Sequence, residues 1–484
     1  MVVNDFNRTL LTDLYQLTMM NGYFSQGISE RKAVFELFFR TNPFSGGYCV
    51  AAGLEDVLSF VESIHFSSGD LDFIRSLGLF QPDFVDRIAS LKFSGKIKAV
   101  QEGSIVFPNE PIISVSGTLL ESQFLETFFL NSINFQTLIA TKAARIWEAS
   151  GRGTLVEFGL RRAQGVNGAI TATRASFIGG CQGTTNVLAG KIFDIPLWGS
   201  MSHSWVLAFP SELEAFRAFV KVYPRNSILL VDTFDTLQEG LQNAITVGRE
   251  LFGQGNSLLG IRLDSGDLTF LSQEARRMLD SSGLPNVKIV ASNSLNEWII
   301  ETLKHQGALI DIWGVGTNLV TGGNESSLGG VYKLVSVEGA DGKMHPKMKI
   351  SQNIEKITLP GEKNVFRIFD SNNFMIADYI TLGDEPLPTS FPFKIHHPQI
   401  EHKFSRMESP HRLEPILVEV FKDGHRIFPE STLKSIQART ISELDKLHPS
   451  HRRLTNPHTY KVGLSQRLWE LKQSQIEETV GSLS

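Results

Sequence analysis

One histidine among small residues is the first chemical feature of this chain. Gly199-Ser200-Met201-Ser202-His203-Ser204-Trp205 leaves backbone amides and hydroxyls open around the His203 imidazole. A neutral imidazole so placed can act as a nucleophile or shuttle a proton. An ordinary histidine bonded to a neighbouring loop has the same local sequence, so the surrounding motifs must decide. Upstream lies Gly183-Thr184-Thr185, and downstream a series of carboxylates and glycines follows apolar runs.

Each of those runs ends in a usable group. Glu157-Phe158-Gly159-Leu160-Arg161-Arg162 sets an aromatic face three residues before a guanidinium. Phe158 can stack on a flat ring while Arg161 pairs with its carboxylate. A buried phenylalanine beside a surface arginine explains the same hexapeptide. Asp232-Thr233-Phe234-Asp235 and Asp264-Ser265-Gly266-Asp267 supply four carboxylates. Such groups bind ribose hydroxyls or the waters of a Mg²⁺ held mainly by substrate phosphates. Asp235 and Asp267 read as helix N-caps, which leaves Asp232 and Asp264 for chemistry. Arg262 lies two residues before Asp264 and so points to the same side of its strand. In Gly314-Val315-Gly316-Thr317-Asn318, amides freed beside glycine can cradle a phosphate at Gly314, Gly316 and Thr317. Neither a P-loop nor a dinucleotide fingerprint occurs. These parts suit a sugar phosphate attacked at its anomeric carbon by a planar ring, with catalysis by positioning and electrostatics.

The elements that must hold these groups repeat. Apolar strands are expected at Thr154–Phe158, Ser227–Val231, Leu258–Leu263, Val287–Ala291 and Leu309–Val315. Helical patterns fill the intervals at Leu237–Phe252, Leu268–Leu279 and Asn296–His305. Strand and helix recur about every thirty residues, as in a parallel α/β unit, and functional groups there sit on strand-end loops. The expectation is an α/β fold with an irregular, incomplete α/β barrel over 141–335. A mixed N-terminal α/β domain precedes it over 1–140. Strands and helices over 336–484 are expected to pack back on that domain. Within the first part, helices are expected near 10–24, at Leu54–Ile64, at Asp70–Leu77 and over Glu121–Ala149. Strands are expected at Ala33–Phe39 and Tyr48–Ala52, with a β-rich unit over 96–120.

Composition sets the outer bounds. The 484 residues are 42% hydrophobic and 20% charged, as in an ordinary folded protein. The net charge of −5 gives no electrostatic reason to expect nucleic acid. Cys49 and Cys181, the only cysteines, lack metal-ligand spacing and fit a reducing compartment. No apolar run is long enough to span a membrane, and the first eight residues lack the apolar core of a secretion signal. A cytoplasmic location is expected.

The ordered motifs Leu11-Thr12-Asp13-Leu14-Tyr15-Gln16-Leu17-Thr18-Met19, Phe35-Glu36-Leu37, Glu157 to Arg162, Gly183 to Asn186, His203-Ser204, Arg262 to Asp267 and Gly314 to Thr317 resemble the nicotinate phosphoribosyltransferase family. The resemblance covers residues 10 to 335. It implies a type II phosphoribosyltransferase with a split N-terminal α/β domain, an irregular barrel and C-terminal segments completing it. It further implies that nicotinic acid and phosphoribosyl diphosphate give nicotinate mononucleotide and diphosphate, the entry step of NAD salvage. ATP hydrolysis would be coupled through phosphorylation of His203, with Mg²⁺ as cofactor and no metal ligands assigned. The implied assembly is a homodimer with shared sites, in which the partner's counterpart of Tyr15 and Phe158 sandwich the pyridine ring. Arg161 and Arg262 would face substrate anions, and Asp232 and Asp264 would lie near ribose, diphosphate and metal. A nicotinamide enzyme of the same layout carries an aspartate where this chain has Thr185, so the acid is the expected substrate. The other alternative is a non-catalytic phosphate-ligand-binding barrel.

Overall fold

In the computed structural model, the apolar runs of the middle segment form one parallel sheet. The structure describes residues 7–353, 356–408 and 410–481. Most of the N-terminal stretch read for a secretion signal, Met1 to Phe6, therefore lies outside the described residues. Two compact units result. One spans Ile139–Ser326; the other combines the chain before it with the chain from Ser327 onward.

The Ile139–Ser326 unit carries six parallel strands in the order Gly183–Thr184, Thr154–Glu157, Ile312–Val315, Lys288–Ala291, Gly260–Leu263, Ile228–Leu230. The two edge strands do not pair with each other, so the sheet is a curled half-barrel. Alternate side chains take opposite faces of each strand. Leu229, Ile261 and Ile289 join the helices Glu212–Val222, Leu241–Gly253 and Leu268–Ser281 in one buried cluster. Val156, Ile228, Val290 and Ile312 form a second, with Phe158 and Trp198 packed against it. Burial on both faces explains why these strands read as continuous apolar runs.

Two elements of this unit carried no clear pattern in sequence. The helix Gly165–Ile178 is buried from Ala169 to Ile178 except at the half-buried Thr171, so it shows no polar stripe. The strand Gly183–Thr184 has only two residues. The helix expected over Glu121–Ala149 is divided, with Leu119–Phe124 ending at Leu125 before Glu126–Ala149 begins.

In the other unit, N-terminal and C-terminal strands share one sheet. Gly330–Glu338 pairs antiparallel with Lys32–Phe39, and Leu417–Lys422 pairs with Lys96–Val100. The later segments thus pair with the early ones in that sheet. A second sheet joins Lys363–Phe369 and Met375–Leu382 to Arg412–Pro415, Val462–Leu464, Phe393–His396 and Phe404–Met407. A buried ion pair from Lys363 Nζ to Glu36 Oε2, 2.8 Å, links the C-terminal part to the first strand. Among the described residues, no helix is long and apolar enough to cross a membrane.

Candidate active site

Parallel strands bring their C-terminal ends to one edge, and there the acids converge. Arg262 of one strand lies level with Val290 and Leu230 of its neighbours. Two residues further on, Asp264 accepts from Arg262 Nη2 at 2.8 Å, as the same-side reading requires. Arg262 Nε donates to Ser292 Oγ at 2.8 Å, and that hydroxyl donates in turn to Asp264 Oδ1. The guanidinium also lies over the Phe158 ring, with Cζ 5.5 Å from its centroid. Arg262 is thereby fixed by a carboxylate, a hydroxyl and an aromatic face at once. Asp264 Oδ2 has no hydrogen bond or ion pair among the described residues.

Asp232 is the other fixed point. Its side chain is 1% exposed, whereas that of His203 is 42% exposed. His203 Nε2 lies 3.2 Å from Asp232 Oδ1. Asp232 Oδ2 accepts from the Asp264 amide at 3.0 Å and from Ser265 Oγ at 2.5 Å. The carboxylate is therefore held from two sides while the imidazole keeps an open face. Asp235 and Asp267 are N-caps, as their positions suggested: each accepts from the amides two and three residues on.

The loop after Thr154–Glu157 is organised by Glu157. Its Oε2 accepts from Thr184 Oγ1 at 2.6 Å and Thr173 Oγ1 at 3.0 Å, and its Oε1 accepts from the Gly159 amide. Burial pushes the Glu157 carboxyl up, and these three donors oppose the shift. Cys181 is buried, and burial and then Glu157 push its thiol up, which disfavours the thiolate. The Phe158 amide donates to Val315 O at 2.8 Å. A Cβ on Gly314 would lie 2.7 Å from Phe158 Cε2, so only glycine lets the ring rest on the neighbouring strand. Gly316 and Thr317 lead into the short helix Thr317–Val320, whose first amides have no intrahelical acceptor.

Arg161 is exposed in a short 3-10 turn and has no ion pair among the described residues. Thr185 is half-buried, and its amide donates to Glu157 O at 3.0 Å. Phe158, Arg262, Asp264, Asp232 and His203 thus form one connected constellation. Tyr15 belongs to the other unit, on the helix Leu14–Ser25, and is 47% exposed. Burial, then Glu126 and Asp13, pushes its phenol up, so the ring stays neutral. Ser292 and Ser265 were visible in sequence only as polar strand-end residues; their bonding roles require the register between strands. Among the described residues, no group of three or more histidines, cysteines or acids could hold a metal by itself.

Comparison with known proteins covers nearly the whole chain. The family model for the nicotinate phosphoribosyltransferase N-terminal domain matches residues 10–134, that for the family itself 154–373, and that for the C-terminal domain 362–472. A nicotinate phosphoribosyltransferase of Bacillus subtilis is 42% identical, with 98% of this chain and 96% of that one covered. The one from Homo sapiens is 34% identical, with 96% of each covered. A crystal structure of human nicotinic acid phosphoribosyltransferase superposes with a TM-score of 0.85 at 32% identity, covering 96% of this chain and 99% of that one. A nicotinate-nucleotide pyrophosphorylase from Pyrococcus furiosus shares the fold, with a TM-score of 0.69 at 21% identity over 92% of this chain and 98% of that one.

Proposed function

The chain belongs to the nicotinate phosphoribosyltransferase family and is a transferase of NAD biosynthesis, and on that premise we propose an ATP-coupled reaction that runs through His203. Nicotinate and phosphoribosyl diphosphate are the substrates, and nicotinate mononucleotide and diphosphate the products. The pyridine nitrogen bonds to the anomeric carbon as the bond from that carbon to the diphosphate oxygen breaks. Phe158 offers the ring a face, and the unpaired Arg161 guanidinium takes the substrate carboxylate. Arg262 lies over the Phe158 ring, held by Asp264 and Ser292. Gly316 and Thr317 offer amides to a phosphate, with Gly314 leaving the space for Phe158.

The observation that carries the ATP coupling is the contact between His203 and Asp232. With its Nε2 proton held by Asp232 Oδ1, the imidazole keeps its Nδ1 lone pair for phosphorus. Nδ1 bonds to the γ-phosphorus while the bond to the ADP oxygen breaks, and ADP departs. Asp232 stabilises the positive charge that develops on the ring. Mg²⁺ held chiefly by substrate phosphate oxygens would neutralise leaving-group charge. Asp264 Oδ2, which has no hydrogen bond or ion pair among the described residues, could accept from one of that ion's waters.

Thr185 places no negative charge against an anionic substrate, which supports nicotinate over the amide; a non-catalytic barrel is not favoured by these relatives. A homodimer with Tyr15 shared between sites is supported by the exposed Leu11, Leu14 and Tyr15. A cytoplasmic setting suits these soluble substrates. Diphosphate release measured with each pyridine, with and without ATP, tests the reading. Nicotinate is expected to be at least tenfold the better substrate, since the amide leaves a guanidinium unpaired; equal catalytic efficiencies would refute the preference. An absence of ATP stimulation would refute the coupling.

A further inference from the structure

A cavity lies in the unit formed by the N- and C-terminal parts, between the chain at 395–405 and the chain at 457–463. Its volume is about 450 Å³, within the range that small organic ligands occupy. Inorganic anions are far smaller than that. Among the described residues that line it none is acidic, whereas His396, His397, His458, Lys403 and Lys461 all do. In a chain whose net charge is −5, this one-signed lining is a local reversal.

The polar groups are arranged to donate. His397 Nδ1 accepts from the amides of Gln399 at 3.1 Å and Ile400 at 3.0 Å. The proton of the neutral ring therefore resides on Nε2, which becomes a donor. Burial, then Lys403 and Lys472, holds this imidazole below its ordinary value. His396 is fixed by Gln466 Oε1, 2.7 Å from its Nε2, and by stacking on Trp469 at 4.9 Å. Lys403 and Lys461 have no ion pair among the described residues. An aromatic surface is present as well. Phe404 is 48% exposed, and Lys394 Nζ lies 4.7 Å from its ring centroid.

We propose that this cavity binds a small organic phosphate of mononucleotide size, with its phosphate between Lys403, Lys461 and His397 and its ring against Phe404. The site lies within one unit and uses none of the residues assigned to the transferase reaction. Two unpaired ammonium groups and one imidazole N–H match the oxygens of a phosphate monoester. The volume left over matches a nucleoside, for which an exposed ring gives stacking without strict choice of base.

Calorimetric titration of the full-length protein with adenosine monophosphate tests the site. Binding is expected in the wild type, and Lys403→Ala/Lys461→Ala should weaken it about tenfold or more, because two charge-assisted bonds are removed. Lys403→Arg/Lys461→Arg should retain it, and Asp264→Asn, which alters the active site, should leave it unchanged. Both lysines are exposed, and thermal melts check that each variant folds. Adenosine and inorganic phosphate should each bind at least about tenfold more weakly, since each lacks one half of the recognition. Binding lost in Asp264→Asn but kept in the double alanine variant would overturn the site. So would absence of binding in the wild type, or equal affinity for either fragment.

Discussion

His203 Nε2 stands 3.2 Å from Asp232 Oδ1, and the opposite oxygen of that carboxylate is held by the Asp264 amide and Ser265. The half-exposed imidazole is thus oriented by an almost fully buried acid. His203→Ala is expected to fold and to lose ATP-stimulated turnover, with any ATP-independent synthesis retained. Asp232→Asn keeps the shape but replaces the anionic acceptor with an amide, so the wrong ring nitrogen can carry the proton. Its ATP-stimulated rate should fall by about a hundredfold or more. Steady-state rates with and without ATP, together with acid-labile radiolabel transferred from γ-labelled ATP, check both variants. Full stimulation in His203→Ala would remove the phosphohistidine assignment.

Gly314→Ala probes the seat of the Phe158 ring. The new methyl carbon would lie 2.7 Å from Phe158 Cε2, and the ring must move. Overpacking of this kind costs about 1–3 kcal/mol. The expected result is a KM for nicotinate raised roughly tenfold, as displacement of the ring removes a stacking contact of about 1–3 kcal/mol. The KM for phosphoribosyl diphosphate should change little. An unaltered nicotinate KM would show that the ring does not hold the pyridine.

Shared sites have their own signature. Tyr15→Ala and His203→Ala subunits, each inactive in ATP-stimulated synthesis as homodimers, should regain activity after exchange. One of the two sites in a mixed dimer then has both residues intact. A fully active monomer in sedimentation would exclude the arrangement.

Stability should depend on pH through Glu110. This side chain is fully buried beside Asp378, which is paired with Arg367 at 2.7 Å. Burial, then the Asp378 charge, holds its carboxyl well above the usual range. A folded-state value above the unfolded one means that its contribution is complete below the ordinary glutamate range and is lost as pH rises through the folded value. Thermal melts should therefore show stability declining on the alkaline side of that range. Glu110→Gln, which cannot ionise, should reduce the slope; an unchanged slope would assign it to other buried acids such as Glu36 and Glu157.

How much of this was legible in sequence varies by element. Strands flanked on both faces announce themselves, as Ile228-Leu229-Leu230 does, and the acids that follow them mark the functional edge. Asp235 and Asp267 were separable from Asp232 and Asp264 because a cap has a fixed offset from its helix. The Arg262–Ser292–Asp264 triangle was not legible, since it arises from the pairing of two strands about thirty residues apart. The strands Phe393–His396 and Phe404–Met407 were also missed. Each has four residues with charged or polar members, and their register comes from partners and not from alternation. The cationic cavity beside them was invisible for the same reason, since His397, Lys403 and Lys461 meet only through that sheet.

Arg161→Ala separates the two halves of substrate recognition. Phe158 and Arg161 share one short loop, pinned at its base by Glu157 through the Gly159 amide. Arg262 is already engaged with Asp264 and Ser292, while Arg161 has no ion pair among the described residues. An unengaged guanidinium three residues from the stacking ring is the better partner for a pyridine carboxylate. Its removal would leave that carboxylate desolvated without a counter-charge, a loss of typically about 2–5 kcal/mol. Nicotinate affinity should accordingly fall by about thirtyfold or more, while phosphoribosyl diphosphate, which carries no pyridine carboxylate, should bind nearly as before. A surface arginine without this role would change neither, since such substitutions usually act within about 0.5 kcal/mol. Separate titrations with the two substrates decide between them, and an unchanged nicotinate affinity would move the carboxylate to Arg262.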